Sequence, residues 1–251
     1  MDLASLQLPF LPALNLAAEL GAEAVEIDAR EQIRPKELSR TGLREVRKML
    51  ADRRLQVAAV AFRTHRGYAV PEDLDRRIEA TKAAMDLASA LGAHVVVNAV
   101  GPIPPDDSPA REMLHDVLGD LARYGSRVGA VVAAETGGES GEDLARLLAA
   151  LPEESLTVAL NPGKLLAAGF SPLDAVSALA RRIRHVHATD ARRGKLVPLG
   201  QGDVDFPSLL AALGESGYQG CFCVTCAGPG DRDPKRELAD AIARLRRYAG
   251  Q

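Results

Sequence analysis

The sequence is nearly balanced in charge, with 31 basic and 34 acidic residues and a formal net charge of −3. It therefore has no electrostatic bias toward nucleic acid or an anionic membrane surface. It also lacks an apolar run long enough to span a bilayer. Its first twenty residues have neither the basic start nor the continuous apolar centre of a secretory leader. The three cysteines, Cys221, Cys223 and Cys226, crowd one segment. Neighbours on a strand point to alternate faces and rarely meet disulfide geometry. A reducing, cytoplasmic setting is the expectation. As a metal motif, C-x-C-x-x-C on a strand has poor geometry. No G-x-G-x-x-G follows the first predicted strand, which argues against a dinucleotide-binding open sheet and a nucleotide cofactor. No linker or shift in composition divides the chain, so one domain over residues 1–251 is expected.

What is present is a regular alternation. Short, almost continuously apolar segments are predicted as strands at 3–8, 24–28, 56–62, 94–100, 130–135, 156–161, 183–189 and 221–225. Between them lie amphipathic stretches at 12–20, 43–53, 71–91, 109–128, 142–151, 171–181 and 207–215, and a closing helix is predicted at 234–248. Thr41 and Ser171 are candidate N-caps, and Gly21 and Gly92 stand where helices end. Strands apolar on both faces are typical of parallel sheets. Eight βα units predict a closed (β/α)8 TIM barrel with its active site at the strand C-terminal ends. The polar residues near those ends are Glu26, Asp28, His65, Asn98, Glu135, Asn161, His187 and Thr225.

The stretch from 183 to 228 carries the most specific wording: HVHATD, then PLGQGDVDF, then LLAALGESGYQG. It resembles the seventh and eighth βα units of the sugar phosphate isomerase/epimerase family, the xylose isomerase-like barrels. That resemblance implies the barrel fold, a small sugar, polyol or ketose as substrate, and proton transfer beside a carbonyl. It also implies a divalent Mn2+ or Mg2+ held by Glu, Asp, His and Glu after strands five to eight. Carried over one position at a time, the first Glu is Glu135 in AAETGG and the His is His187 in HVHATD. The Asp position holds Asn161, and the second Glu position holds Thr225. Lys164 occupies a position where the family often has a substrate-contacting His. Arg193 falls where some ketose epimerases place a basic substrate contact. Relatives pair through barrel faces, so a homodimer is an expectation of the resemblance.

Hard cations are held chiefly by anionic oxygen, and two of the family's three carboxylates are replaced here. Binding of a metal by Glu135, His187 and Asn161 is therefore expected to be weak or absent. Glu135 reads as catalytic base, or as a structural ion-pair partner of Lys164 or Arg193. The Lys164 ammonium reads as a stand-in electrophile or as a solvated loop lysine. His187, Asn161, Thr225, Asn98, Arg193 and Glu26 are candidate substrate contacts, Glu26 being equally readable as structural. His185 reads as a core residue, Asp190, Arg192 and Arg193 as a solvated loop, and His65 as exposed. Two functions stay open. One is a sugar isomerase or epimerase; the other is a non-catalytic, ligand- or partner-binding descendant. An endonuclease IV-like nuclease fits poorly, because it needs many more metal ligands and a basic face.

Overall fold

The computed structural model describes residues 1–151, 155–228 and 233–250. Helix α1 (Phe10–Glu19) precedes β1 (Ala24–Asp28), α2 (Arg40–Asp52), β2 (Gln56–Ala61) and α3 (Leu74–Ala90). Next come β3 (Val95–Asn98), α4 (Pro109–Val128), β4 (Val131–Glu135), α5 (Gly141–Ala149) and β5 (Thr157–Leu160). A short α6 (Pro162–Ala167) and α7 (Pro172–Leu179) lead to β6 (Ile183–Ala188). The ribbon of β7 (Asp190–Arg192) and β8 (Lys195–Val197), then α8 (Phe206–Glu215), β9 (Phe222–Val224) and α9 (Pro234–Tyr248), complete the chain.

Seven parallel strands form one sheet in the order β1-β2-β3-β4-β5-β6-β9. Residues 1–3 bridge its two edges. The Asp2 N–H donates to the Val224 carbonyl (2.9 Å), the Leu3 N–H to Glu26 (3.1 Å), and the Glu26 N–H to Met1 (2.8 Å). The expected first strand at 3–8 is thus only this short seam. Asp2 Oδ1 accepts the Ala4 N–H at 3.0 Å and turns the chain into a 3-10 helix, Ala4–Leu6, a local side-chain bond outcompeting strand extension. The result is a barrel of seven regular strands closed by a three-residue segment.

Two further expectations shift. Ser39, rather than Thr41, caps α2, its Oγ accepting the Gly42 N–H at 3.1 Å. The presumed solvated loop after β6 is an antiparallel ribbon organised by buried Asp190. Ser108, Ser140 and Ser171 cap α4, α5 and α7.

Alternation along the strands sorts their side chains. Larger residues such as Ile27, Val60, Val96 and Val158 face outward into the core beneath the helices, where Leu114, Leu118, Leu121 and Leu144 are fully buried. Truncating one such leucine to alanine costs about 2–5 kcal/mol. Inside the barrel sits a separate layer of small residues, Ala59, Ala61, Val97, Ala133 and Ala159. Counting by twos toward the C-terminal ends from these residues reaches Arg63, Glu135 and Asn161. Small side chains below leave room for long polar ones above.

Candidate functional site

The inner face of the barrel mouth is a charge network centred on Glu135. Its carboxylate, at the end of β4, accepts the Arg63 Nε–H at 2.8 Å and the Lys164 ammonium at 2.9 Å on Oε2. Oε1 accepts the Asn161 amide at 3.0 Å. Arg63 also donates from Nη2 to Glu26 Oε1 at 3.1 Å, so one guanidinium links two buried carboxylates on strands β1 and β4. His187 Nε2 shares a hydrogen bond with Glu26 Oε2 at 2.9 Å, and its Nδ1 lies 3.4 Å from Glu135 Oε1.

Local structure explains each placement. Asn161 ends β5 and caps α6, its Oδ1 accepting the Lys164 N–H at 3.0 Å and the Thr189 hydroxyl. The same residue's amide faces Glu135, where aspartate would set two carboxylates against each other. Lys164 lies in the first turn of α6 and reaches back over Gly137. A Cβ on Gly137 would sit 2.5 Å from the Lys164 Cβ, at a φ of +137°.

Burial alone would push the Glu135 carboxyl upward. The Arg63 charge, then His187 and Lys164, outweigh it and hold the group near 2. Glu26 is held well below the ordinary glutamate range against burial by His187, His185 and Arg63. Burial lowers His185, whereas for His187 the Glu26 carboxylate overrides burial and the imidazole is raised. Asp2 is raised, first by burial and then by Glu26.

The structure brings Glu26, Glu135, Asn161, Lys164 and His187 together. Of the two open partners for Glu135, it selects Lys164. Thr225 turns aside, its hydroxyl 3.3 Å from Asp2 Oδ2 and 3.4 Å from the Cys226 carbonyl. Asn98 is not brought to the mouth. It follows outward-facing Val96 by two residues, and its amide donates to the Phe62 carbonyl at 2.7 Å. Arg193 is exposed in the β7–β8 turn at a φ of +51°, outside the network. His65 is exposed, as expected, and Asp28 accepts the N–H groups of Arg30 and Glu31. Asp190 carries no solvent-facing charge. It accepts N–H groups from Ala191, Gly200, Gly202 and Val204 at 2.8–3.1 Å, so the glycines of LGQGD frame a buried carboxylate.

The residues missed from sequence are Arg63 and Asp2. The signal for Arg63 was its parity with Ala59 and Ala61 on the strand just before it; Asp2 was hidden because its strand is three residues long. A cavity of about 790 Å3 lined by His94, Arg123, Thr157 and Arg184 lies at the opposite end of the barrel, the face associated with stability rather than chemistry.

Comparison with known proteins agrees with this architecture. The xylose isomerase domain protein of Planctomyces limnophilus superposes with a TM-score of 0.82 at 24% identity, over 95% of this chain and 93% of that one. A D-tagatose 3-epimerase-like protein gives 0.82 at 19% identity, over 100% and 96%. D-psicose 3-epimerase gives 0.80 at 14%, again over 100% and 96%. At these identities the likeness concerns the fold. No curated protein matches the sequence. Among the described residues no helix is long and apolar enough to cross a membrane. The pattern that defines the xylose isomerase-like TIM barrel matches residues 14–248, and the chain belongs to that family.

Proposed function

We propose that the barrel mouth binds a small sugar, polyol or ketose and acts on it by proton transfer beside its carbonyl, with Arg63 and Lys164 supplying positive charge that the family draws from a divalent ion. The observation that carries this reading is the convergence of both cations on the single carboxylate of Glu135.

The family's ion fits the residues at 135, 161, 187 and 225 poorly. Both Glu135 oxygens already accept hydrogen bonds from cationic or amide donors. The Asn161 oxygen caps α6 and accepts Thr189, and the Thr225 hydroxyl is turned to Asp2. Arg63 and Lys164 would repel a further cation there. The family's metal site is in this reading degenerate, and no step is routed through an ion.

Lys164 is the more exposed cation, and an incoming carbonyl oxygen can take its N–H bond. Two things follow from that exchange. The carbonyl is polarised toward an enediolate-like charge, a preorganised form of electrostatic stabilisation. Glu135 loses one of its stabilising partners, and its basicity rises from the low resting value. Arg63 holds the carboxylate in place throughout. The second reading, a ligand-binding descendant without turnover, is favoured by that same low resting value of Glu135, since an effective base has a pKa near the working pH.

The test is a panel of ketoses, aldoses and inososes incubated in D2O, with loss of the proton next to the carbonyl followed by NMR and binding by calorimetry. Exchange that Lys164→Ala and Glu135→Gln both abolish supports turnover. Saturable binding without exchange selects the descendant. Absence of both overturns the sugar-site reading.

A further inference from the structure

The barrel buries a second constellation, reaching down from the mouth and sharing Glu26 and His187 with it. Glu26, His185, His187 and Cys223 each offer one ligand atom, and those atoms all lie within 4.8 Å of one another. Every one of these residues is at most 1% exposed. They stand on β1, β6 and β9, where the backbone register pairs His187 directly with Cys223. The imidazole Nε2 atoms of His185 and His187 both lie 2.9 Å from the same oxygen, Glu26 Oε2.

As hydrogen bonding this arrangement is incomplete. His187 shares a good bond with Glu26, but His185 Nε2, equally near, is outside hydrogen-bonding geometry and has no partner. His187 Nδ1 has none either. The Cys223 thiol has a 4.0 Å contact to the neighbouring Val224 carbonyl and lies beside the Met1 ammonium, a cationic neighbour that a metal-bound thiolate would keep. Buried polar atoms ordinarily find partners. Here a carboxylate oxygen, an orphaned imidazole nitrogen, a second imidazole and a thiol aim at one small volume.

We propose that Glu26, His185, His187 and Cys223 form a buried zinc site. Thiolate, imidazole and carboxylate together match zinc's borderline-soft preference, and four protein ligands with no open position are the mark of a structural site. Neighbouring ligand atoms in a tetrahedral zinc shell are separated by about 3.3–3.8 Å, so closing the shell takes side-chain shifts of about an ångström. Arg63 already holds the other oxygen, Glu26 Oε1, at 3.1 Å, which leaves Oε2 for the ion. Binding breaks the His187–Glu26 hydrogen bond and the 3.3 Å approach of Arg63 Nη2 to His187 Nε2. The repulsion between ion and guanidinium is offset here by two anionic ligands, the Glu26 carboxylate and the Cys223 thiolate, whereas positions 135, 161, 187 and 225 offer only Glu135. The thiol proton leaves to solvent as sulfur binds, so metal uptake releases protons. The site ties β1 to β6 and β9 across the seam that residues 1–3 bridge in the backbone. It shares Glu26 and His187 with the mouth network but none of the atoms of Glu135 or Lys164, and metal uptake is read without substrate, so its failure and that of the sugar-site reading are separable.

The test is cobalt substitution of the full chain. Purified protein is stripped, titrated with Co2+ and Zn2+, and followed by elemental analysis and near-ultraviolet absorption. The expected result is one ion per chain with a thiolate-to-cobalt charge-transfer band. That band should persist in Cys221→Ser/Cys226→Ser and in Lys164→Ala. In Cys223→Ser it should vanish, with affinity at least about 10–100-fold weaker. Cys223→Ser preserves size, and its circular dichroism and melting without metal report whether it folds. If that variant does not fold, His185→Gln provides a second reading, and its cobalt affinity should fall similarly. Absence of uptake in folded wild-type protein would overturn the proposal. So would uptake with no charge-transfer band, or a band unaffected in folded Cys223→Ser.

Discussion

Arg63 and Glu135 meet across the barrel mouth, Nε to Oε2 at 2.8 Å, although 72 residues separate them in the chain. The same guanidinium binds Glu26, so a single arginine bridges two carboxylates that are both almost wholly buried. Removing one partner of such a network leaves uncompensated charge in a low-dielectric interior. Arg63→Ala is expected to cost about 3–5 kcal/mol, read as a lowered urea midpoint, with Arg63→Lys intermediate because an ammonium cannot span both acids. A midpoint unchanged in Arg63→Ala would show that the two carboxylates are not held by this contact.

Lys164 should behave differently. Its side chain is 40% exposed, so its bond to Glu135 is partly screened by water. Lys164→Ala is expected to change stability by less than about 1 kcal/mol. If the ammonium polarises a bound carbonyl, turnover on an active substrate should fall by about 10²–10³. Denaturation and exchange assays on the one variant separate these two effects.

Gly137 should be coupled to that lysine. Gly137→Ala forces a Cβ against the Lys164 side chain at a backbone angle that alanine rarely adopts. A loss of about 1–3 kcal/mol is expected. Ligand affinity or turnover should fall in parallel with Lys164→Ala. A crystal structure of the variant would show Lys164 displaced from Glu135.

Acid should weaken the fold through Glu135. Its folded carboxyl sits near 2, below the 4.5 usual for a glutamate. The folded state therefore binds this proton less readily than the unfolded chain. The resulting stability is fully present above about pH 4.5 and is lost as pH falls through 4.5 toward 2, about 3 kcal/mol in all. Glu26 is shifted in the same direction. Melts across this window should be visibly flatter for Glu135→Gln than for the wild type.

Asp190 should prove structural. Its carboxylate satisfies four backbone N–H groups, and a Cβ on Gly202 would lie 2.0 Å from its Oδ1. Asp190→Ala should cost at least about 2 kcal/mol by orphaning buried donors. Hydrogen exchange over residues 199–204 should accelerate more than in the rest of the chain.

Much of this protein is written locally. The alternation of apolar strands with capped helices is a matter of neighbouring residues, and it sufficed for the barrel. Ser108 and Ser171 cap helices where the sequence placed their starts. Glu135, His187 and Asn161 were legible because they lie at or beside the ends of strands whose parity is carried by adjacent alanines and valines. The seam at residues 1–3 was not, because a single side-chain bond from Asp2 cuts the strand short. Nor was the β7–β8 ribbon, whose shape depends on a carboxylate buried by residues ten to fourteen positions later.

The sequence by itself determined the alternation of the main strands and helices and placed Glu26, Glu135, Asn161 and His187 near the strand ends, because both follow from periods of two and 3.6. Only the tertiary structure decided who pairs with whom. Arg63 on Glu26 and Glu135, Lys164 rather than Arg193 on Glu135, and Cys223 beside His187 are contacts between distant strands. Their strength comes from exclusion of water, which no local pattern records. That same burial makes the network's charges costly to leave unpaired, and so makes its partners specific.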